Sequence, residues 1–170
     1  KGSFVQEEYL NNVVPERHIV EIDFSSWVRE SLTVSPDSKR VVYAAQFVDK
    51  WLVIVDGKEG KLYDDIAAGD LIFSPDSKHV AYAAKLDNKY VVVVNGKEGK
   101  QYDEITTDNL VFSPDSNHLA YSAQLSKKMF VVKDEKEGKH YNGIALNSII
   151  FSPDSKRIAY VAQEIYKQFV

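Results

Sequence analysis

The chain contains no cysteine, a single methionine and only two tryptophans among its 170 residues. The lack of thiols excludes disulfides, cysteine nucleophiles and thiolate metal sites, and leaves the redox compartment open. No apolar run reaches the roughly 18 residues that a membrane-spanning helix needs. An excess of one charge is also lacking: the formal net charge is -4, which gives no general attraction to nucleic acid or anionic lipid. The first residue is not Met and no signal-peptide core follows it, so the chain reads as a processed form or a piece of something longer. Proline is scarce, five in all, yet four of the five stand in step.

Pro36, Pro75, Pro114 and Pro153 are each 39 residues apart. The same step carries Tyr43 to Tyr82, Tyr121 and Tyr160, and Tyr63 to Tyr102 and Tyr141, while "GKEG" at Gly57 and Gly96 returns as "EKEG" at Glu135. Such a period is the mark of a repeat architecture. Within the second copy, "LIF" stops at "SPDS", where proline presets φ and the Ser and Asp side chains can bond nearby backbone N–H groups. "HVAYAAK", a loop "LDNK" and "YVVVV" follow, and then "NG", a strong hairpin signal because both residues tolerate positive φ. "KQYDEI" closes the unit as an outer strand.

Each copy is therefore expected to be four short antiparallel strands, the inner ones apolar on both faces. A sheet of about 40 residues buries two such faces only by stacking on its neighbours around an axis, as in a β-propeller. "FSPDSKHVAYAA" resembles the repeat of the WD-like propellers of the TolB and dipeptidyl-peptidase-propeller type, over residues 32–170. Those families usually place Gly where Ser38, Ser77, Ser116 and Ser155 stand, and usually have more blades. The resemblance implies an all-β fold, a binding role and an extracytoplasmic location, periplasmic or secreted.

The expected domain is 15–170, which makes four periods, with blades at 32–66, 71–105, 110–144 and 149–170. The last copy stops in its third strand, and the segment of about 19–27 lies in outer-strand register, Phe24 and Trp27 standing 39 before Tyr63 and Ile66. A four-bladed ring closed by that N-terminal strand is the favoured arrangement; a piece of a longer propeller, or two chains pairing into eight blades, also keeps the repeat. Residues 1–14 are an extension in which Ser3 and Gln6 have capping-box spacing, so a short helix ending before Pro15 is expected.

Chemistry is thinly represented. His79 and His118 occupy the slot of Arg40 and Arg157, which reads as a basic solvated position, and no metalloprotease, phosphate-loop, nucleophile-elbow or dinucleotide motif occurs. The bend serines repeat at every copy, which points to turn capping. The pairs Asp64 with Asp65 and Asp103 with Glu104 give way to Asn142 and Gly143 in the third copy, so they read as solvated strand ends. The expectation is a non-catalytic binding scaffold with no cofactor and no metal site, taking a protein partner or a copy of itself, with neither nucleic acid nor membrane insertion. A structural module, or a propeller fragment of a larger extracytoplasmic protein or peptidase, is the alternative. The weaker metal alternative is a hard cation held where Ser31, Asp70, Asn109 and Ser148 come level.

Two loop faces are expected. Bends and "GKEG" turns share a lower face, where basic residues outnumber acidic ones and Lys58, Lys97 and Lys136 recur at one position. The upper face is expected to be acidic and to carry the links "VRES", "AAGD", "TTDN" and "ALNS". These differ between copies and so nominate Arg29, Glu30, Asp70, Asp108, Asn109 and Asn147 for recognition. Trp51, Tyr90, Met129 and Gln168, equivalent in the repeat, form a second candidate patch, with packing between blades as the competing role.

Overall fold

Every Ser-Pro-Asp-Ser bend closes by the same local bonds. In the first, Ser35 Oγ donates to Asp37 Oδ1 at 2.7 Å and accepts the N–H of Arg40 at 2.9 Å, while Asp37 accepts the N–H of Lys39 at 3.1 Å. The last serine of each bend has a φ between 57° and 65°. The second hairpin turn is equally regular: Asp56-Gly57 and Asn95-Gly96 take positive φ at both positions, as do Asp134-Glu135 in the third copy, where a glutamate occupies the left-handed site.

These turns space the strands of a computed structural model that describes residues 2–3, 18–23, 25–67 and 70–164. Three sheets follow one another. The first runs Thr33–Val34, Val41–Phe47, Lys50–Val55 and Lys58–Glu59, antiparallel throughout. The third runs Glu104–Phe112, Leu119–Leu125, Lys128–Lys133 and Lys136–Glu137. In the second, Asp65–Ile66 and Ile72–Phe73 both pair with Val80–Leu86, followed by Lys89–Val94 and Lys97–Glu98. A fourth sheet is seen in part: Gly143–Ile144 pairs with Ala162–Gln163, and Ile150–Phe151 with Ile158–Ala159.

The strand limits differ from the expected blades at one recurring place. Tyr102 still bridges Tyr90 in its own sheet, but Glu104, Ile105 and Thr106 pair with Gln124, Ala123 and Ser122 of the next. The expected outer strand "KQYDEI" is thus divided between two sheets. The expected link "TTDN" lies inside a single nine-residue inner strand, with a register shift between Thr106 and Val111. The crossing is anchored by Asp103, whose carboxylate is ion-paired to Lys89 of the sheet being left and accepts the N–H of Ser126 in the sheet being entered. Asp64 does the same between Lys50 and the N–H of Asp87.

The core is a series of apolar layers between sheets. Val42 and Ala44 face forward onto Val80, Tyr82, Ala84 and Val91, whereas the alternate residues Ala81 and Ala83 face the third sheet's Tyr121, Ala123 and Phe130. The two-residue strand period therefore serves two cores at once. A third layer joins Ala120 and Val131 to Ile144 and Ile149. Edge-to-face tyrosine pairs cross each layer, Tyr63 with Tyr82, Tyr102 with Tyr121 and Tyr141 with Tyr160.

At the N-terminal end, Trp27 bridges Ala45, as Ile66 pairs with Ala84 one period later. Ile22 is buried with Tyr43, Ala45, Leu52 and Ile54. Within the segment expected to complete the last sheet, Ile22 and Trp27 pack on the first, Trp27 in the place that Ile66 takes on the second; among the described residues no strand pairing joins the first sheet to the fourth. Phe24, and residues 165–170 in which the last third strand was expected, lie outside the described residues. Ser3, the expected helix cap, is in a two-residue strand paired with Glu21–Ile22. Residues 4–14 of the expected helix also lie outside the described set.

Candidate functional site

On the lower face the slot of Arg40, His79 and His118 is not simply solvated. Arg40 lies 5.4 Å from the centre of the Phe73 ring of the next sheet, and its guanidinium donates to the carbonyls of Ser77 and Lys78 at 3.0 and 2.8 Å. His79 and His118 lie with ring centres 6.4 Å from Phe112 and Phe151. Each is held from its own sheet as well: Asn95 Nδ2 donates to His79 Nδ1 at 2.8 Å, and His118 Nδ1 donates to Asp134 at 2.7 Å.

Between these tethers the sheets part into clefts. The larger, between the second and third sheets, has a volume of about 530 Å³; its floor is Val92, Phe112 and Tyr121, and its rim includes His79, Lys97 and Asp134. An equivalent cleft of about 360 Å³ lies one period earlier, with Val53, Val80 and Tyr82 within and Arg40 and Lys58 at its mouth. The repeat foretold the positions of these residues. It did not reveal the clefts, because the sheets' separation depends on the volumes of facing side chains, not on any one copy.

The charges of this face sort into paired and unpaired. Lys61 pairs with Glu98 at 2.7 Å and Lys100 with Glu137, each across a sheet boundary. Lys39 and Lys78 lie beside Asp37 and Asp76 of their own bends. Lys58, Lys97 and Lys136, at one position in three copies, are exposed and have no carboxylate partner among the described residues. The bend carboxylates are anions at neutral pH: the Ser74 hydroxyl holds Asp76 down to a pKa of about 2, and Ser35, Ser113 and Ser152 lower Asp37, Asp115 and Asp154 in the same way.

On the upper face the predicted residues divide. Arg29 and Glu30 are exposed in a single 3-10 turn, Arg29–Ser31. Asp108 and Asn147 are exposed, and Asp70 is half-buried with its N–H donating to the Ala67 carbonyl at 3.0 Å. Asn109 is a correction. It is 2% exposed; its amide donates to Ser122 Oγ and the Ala145 carbonyl at 3.0 Å each, and its carbonyl accepts the N–H of Ser148. An amide so satisfied ties the third sheet to the fourth and is closed to a ligand.

The positions level with Asn109 have similar work. Ser31 is buried, its Oγ accepting the N–H of Ala44 at 2.8 Å, and Ser148 Oγ accepts that of Val161. These hydroxyls staple inner strand to second strand across the bulge. Trp51, Tyr90 and Met129 are half-buried, bridge Tyr63, Tyr102 and Tyr141 in their own sheets, and pack against the inter-sheet cores. The three thus have the packing role that the repeat also allowed, with part of each side chain still open to solvent; Gln168 lies outside the described residues.

The first carboxylate of each pair is engaged between two sheets. Lys50, then the N–H of Asp87, lowers the Asp64 pKa, and Lys89 with the N–H of Ser126 lowers that of Asp103. Both therefore act as fixed anions that hold a turn, which suits neither proton donation nor abstraction near neutral pH. Among the described residues no three His, Cys, Asp or Glu side chains gather as metal ligands, and no helix is long and apolar enough to cross a membrane.

No protein-family model matches the chain, and no curated protein matches it in sequence. Among solved structures it is similar to TolB from Acinetobacter baumannii, with a TM-score of 0.52 and 13% identity, over 88% of this chain and 40% of that one. A "putative 6-phosphogluconolactonase" from Bacteroides uniformis aligns with a TM-score of 0.38 and 20% identity, over 77% of this chain and 46% of its own. The chain thus spans less than half the length of either protein. The stacked antiparallel sheets and the likeness to TolB together make the fold all-β and β-propeller-like.

Proposed function

We propose that this chain is a non-enzymatic binding scaffold of the WD-like type, its four 39-residue copies forming four blades, and that its lower face takes an acidic segment of a protein partner. The observation that carries the reading is the recurrence of Lys58, Lys97 and Lys136 as exposed ammonium groups without a carboxylate partner among the described residues. Two of them stand at the mouths of the clefts. A row of like charges beside apolar slots suits a flexible chain that alternates carboxylates with apolar side chains. Work outside the cytoplasm belongs to the same reading and rests on the repeat's resemblance to TolB-type propellers.

A fluorescent peptide of Glu, Ser and Leu residues serves as the probe. Binding is expected to weaken as the Debye length contracts from about 10 Å at 0.1 M salt to about 3 Å at 1 M, and to vanish in the triple variant Lys58→Glu, Lys97→Glu, Lys136→Glu, with the circular dichroism unchanged. Binding indifferent to both salt and charge reversal refutes the lower face as the site.

A further inference from the structure

The three boundaries between sheets place a phenylalanine ring at one repeat position, Phe73, Phe112 and Phe151, and differ in what lies over it. At the first boundary Arg40 lies 5.4 Å from the centre of Phe73 and donates to the carbonyls of Ser77 and Lys78 at 3.0 and 2.8 Å. At the third, Lys133 Nζ stands 5.6 Å from the centre of Phe151, and His118 lies beside the same ring with centres 6.4 Å apart. A histidine in the slot of Arg40 therefore leaves room for a cation on the ring. At the second boundary the slot holds His79, and the counterpart of Lys133 is Val94. Among the described residues no ammonium or guanidinium lies over Phe112.

The other parts of the Arg40 site are kept where the arginine is missing. Ser116 and Asn117, the counterparts of Ser77 and Lys78, line the cleft of about 530 Å³ together with Phe112. Their carbonyls accept no hydrogen bond among the described residues; His79 is held instead by Asn95 of its own sheet. The wall gains charge at the same place: where the smaller cleft has Asn95 and Gly96, the larger has their counterparts Asp134 and Glu135. Asp134 is paired to His118, and Glu135 is exposed with no cationic partner among the described residues. Lys97 opposes these charges from the rim, on a flexible stem. The volume lies within the roughly 300–1,000 Å³ of ligand clefts.

We propose that the cleft between the second and third sheets binds an arginine side chain of a partner protein, its guanidinium laid on Phe112, its N–H fork on the carbonyls of Ser116 and Asn117 and its charge offset by Glu135. The molecule's own arrangement names the occupant. One boundary earlier an arginine of the chain fills this place, and a planar fork of donors matches two adjacent carbonyls as an ammonium does not. The first boundary is thus closed by the chain itself, and the second is open to a ligand of the same chemistry. This goes beyond the acidic-partner reading and does not depend on it, since Lys97 attracts an acidic segment and repels a guanidinium.

An NMR titration of the isotopically labelled chain with the blocked peptide Ser-Gly-Arg-Gly-Ser, followed through the amide signals of Phe112, Ser116 and Asn117, tests this. Saturable shifts are expected with the arginine peptide and none with its citrulline counterpart, whose side chain is neutral and of the same shape. His79→Arg restores the residue of the first copy. It is expected to lay the chain's own guanidinium on Phe112 and to abolish binding, while the melting temperature holds or rises. Phe112→Leu is expected to weaken binding about fivefold or more, and Glu135→Gly to weaken it severalfold. Lys97→Glu is expected to tighten the arginine peptide and to weaken the acidic one, so the two readings fail separately. The proposal is overturned by an absence of saturable shifts, by equal shifts with the citrulline peptide, by binding undiminished in His79→Arg, or by arginine binding that weakens in Lys97→Glu.

Discussion

Ser77 accepts the backbone N–H of Asp37 at 3.1 Å, forty residues back along the chain, and so joins two bends that no strand pairing connects. The serine holds a φ of 65° that glycine would take without strain. Its hydroxyl is what glycine lacks, and at Ser77, Ser116 and Ser155 it supplies the acceptor that crosses the boundary between bends. Ser116→Ala keeps the strained φ and removes the acceptor, leaving the N–H of Asp76 unpaired at a sheet boundary. A loss of about 1–3 kcal/mol is expected, read as a lower urea midpoint at unchanged m-value. Ser38→Ala, in dilute protein, is expected to shift the midpoint by less than about 0.5 kcal/mol.

Acid sensitivity follows from the same bends. The serine hydroxyl and a backbone N–H lower the pKa of Asp37, Asp76, Asp115 and Asp154 from the ordinary 3.8, to about 2 for Asp76. A folded-state pKa below the unfolded one gives stability that is complete above the unfolded value and is lost as pH falls through the folded value. The melting temperature should therefore hold down to about pH 4 and fall steeply toward pH 2. Asp76→Asn is expected to start lower at neutral pH and to fall less over that interval; equal slopes in thermal melts of the two proteins would disprove the linkage.

The sequence carried the period, the bends, both inner hairpin strands and the sharing of one face by bends and "GKEG" turns, because each is set by neighbours within a few residues. Where the chain changes sheets was not legible. "KQYDEI" and "TTDN" look like a strand and a loop, but Asp103 turns its carboxylate to the next sheet and the loop residues continue a bulged strand. Asn109 illustrates the limit for sites. Its difference from Ser31, Asp70 and Ser148 suggested recognition, whereas the larger amide spans to Ser122 and Ala145, a distance visible only once the third and fourth sheets are placed.

Val48 is a β-branched residue at φ 57° and is 97% exposed, so no packing offsets the clash of its branched side chain with the backbone. Its counterparts Asp87 and Ser126, also at positive φ, are residues that bond locally. Val48→Asn is expected to raise stability by about 1 kcal/mol. Glu135→Gly, which restores the residue found at Gly57 and Gly96, is expected to do so by about half as much, since glycine also loosens the unfolded chain. Denaturant unfolding of the two variants and their combination checks both the signs and, because the turns lie in different sheets, their additivity.

Ile22 is 1% exposed although it lies outside the repeated sheets, where it covers Tyr43, Ala45, Leu52 and Ile54. Without it the first sheet has one apolar face open to water, the condition that the second and third sheets escape by having neighbours on both sides. Ile22→Ala removes three buried carbon atoms beneath the covering strand and is expected to cost about 2 kcal/mol or more. Deleting residues 1–27 removes the cover altogether, together with the Trp27 bridge to Ala45. That product is expected to aggregate or to melt many degrees lower, since an uncovered sheet face with a free edge invites association. The two variants separate cover from covalent context: a destabilised but monomeric Ile22→Ala beside an aggregating deletion identifies the segment as part of the fold. A deletion that stays monomeric with an unchanged melting temperature shows that the first sheet needs no cover, and then Ile22 is buried without contributing to stability.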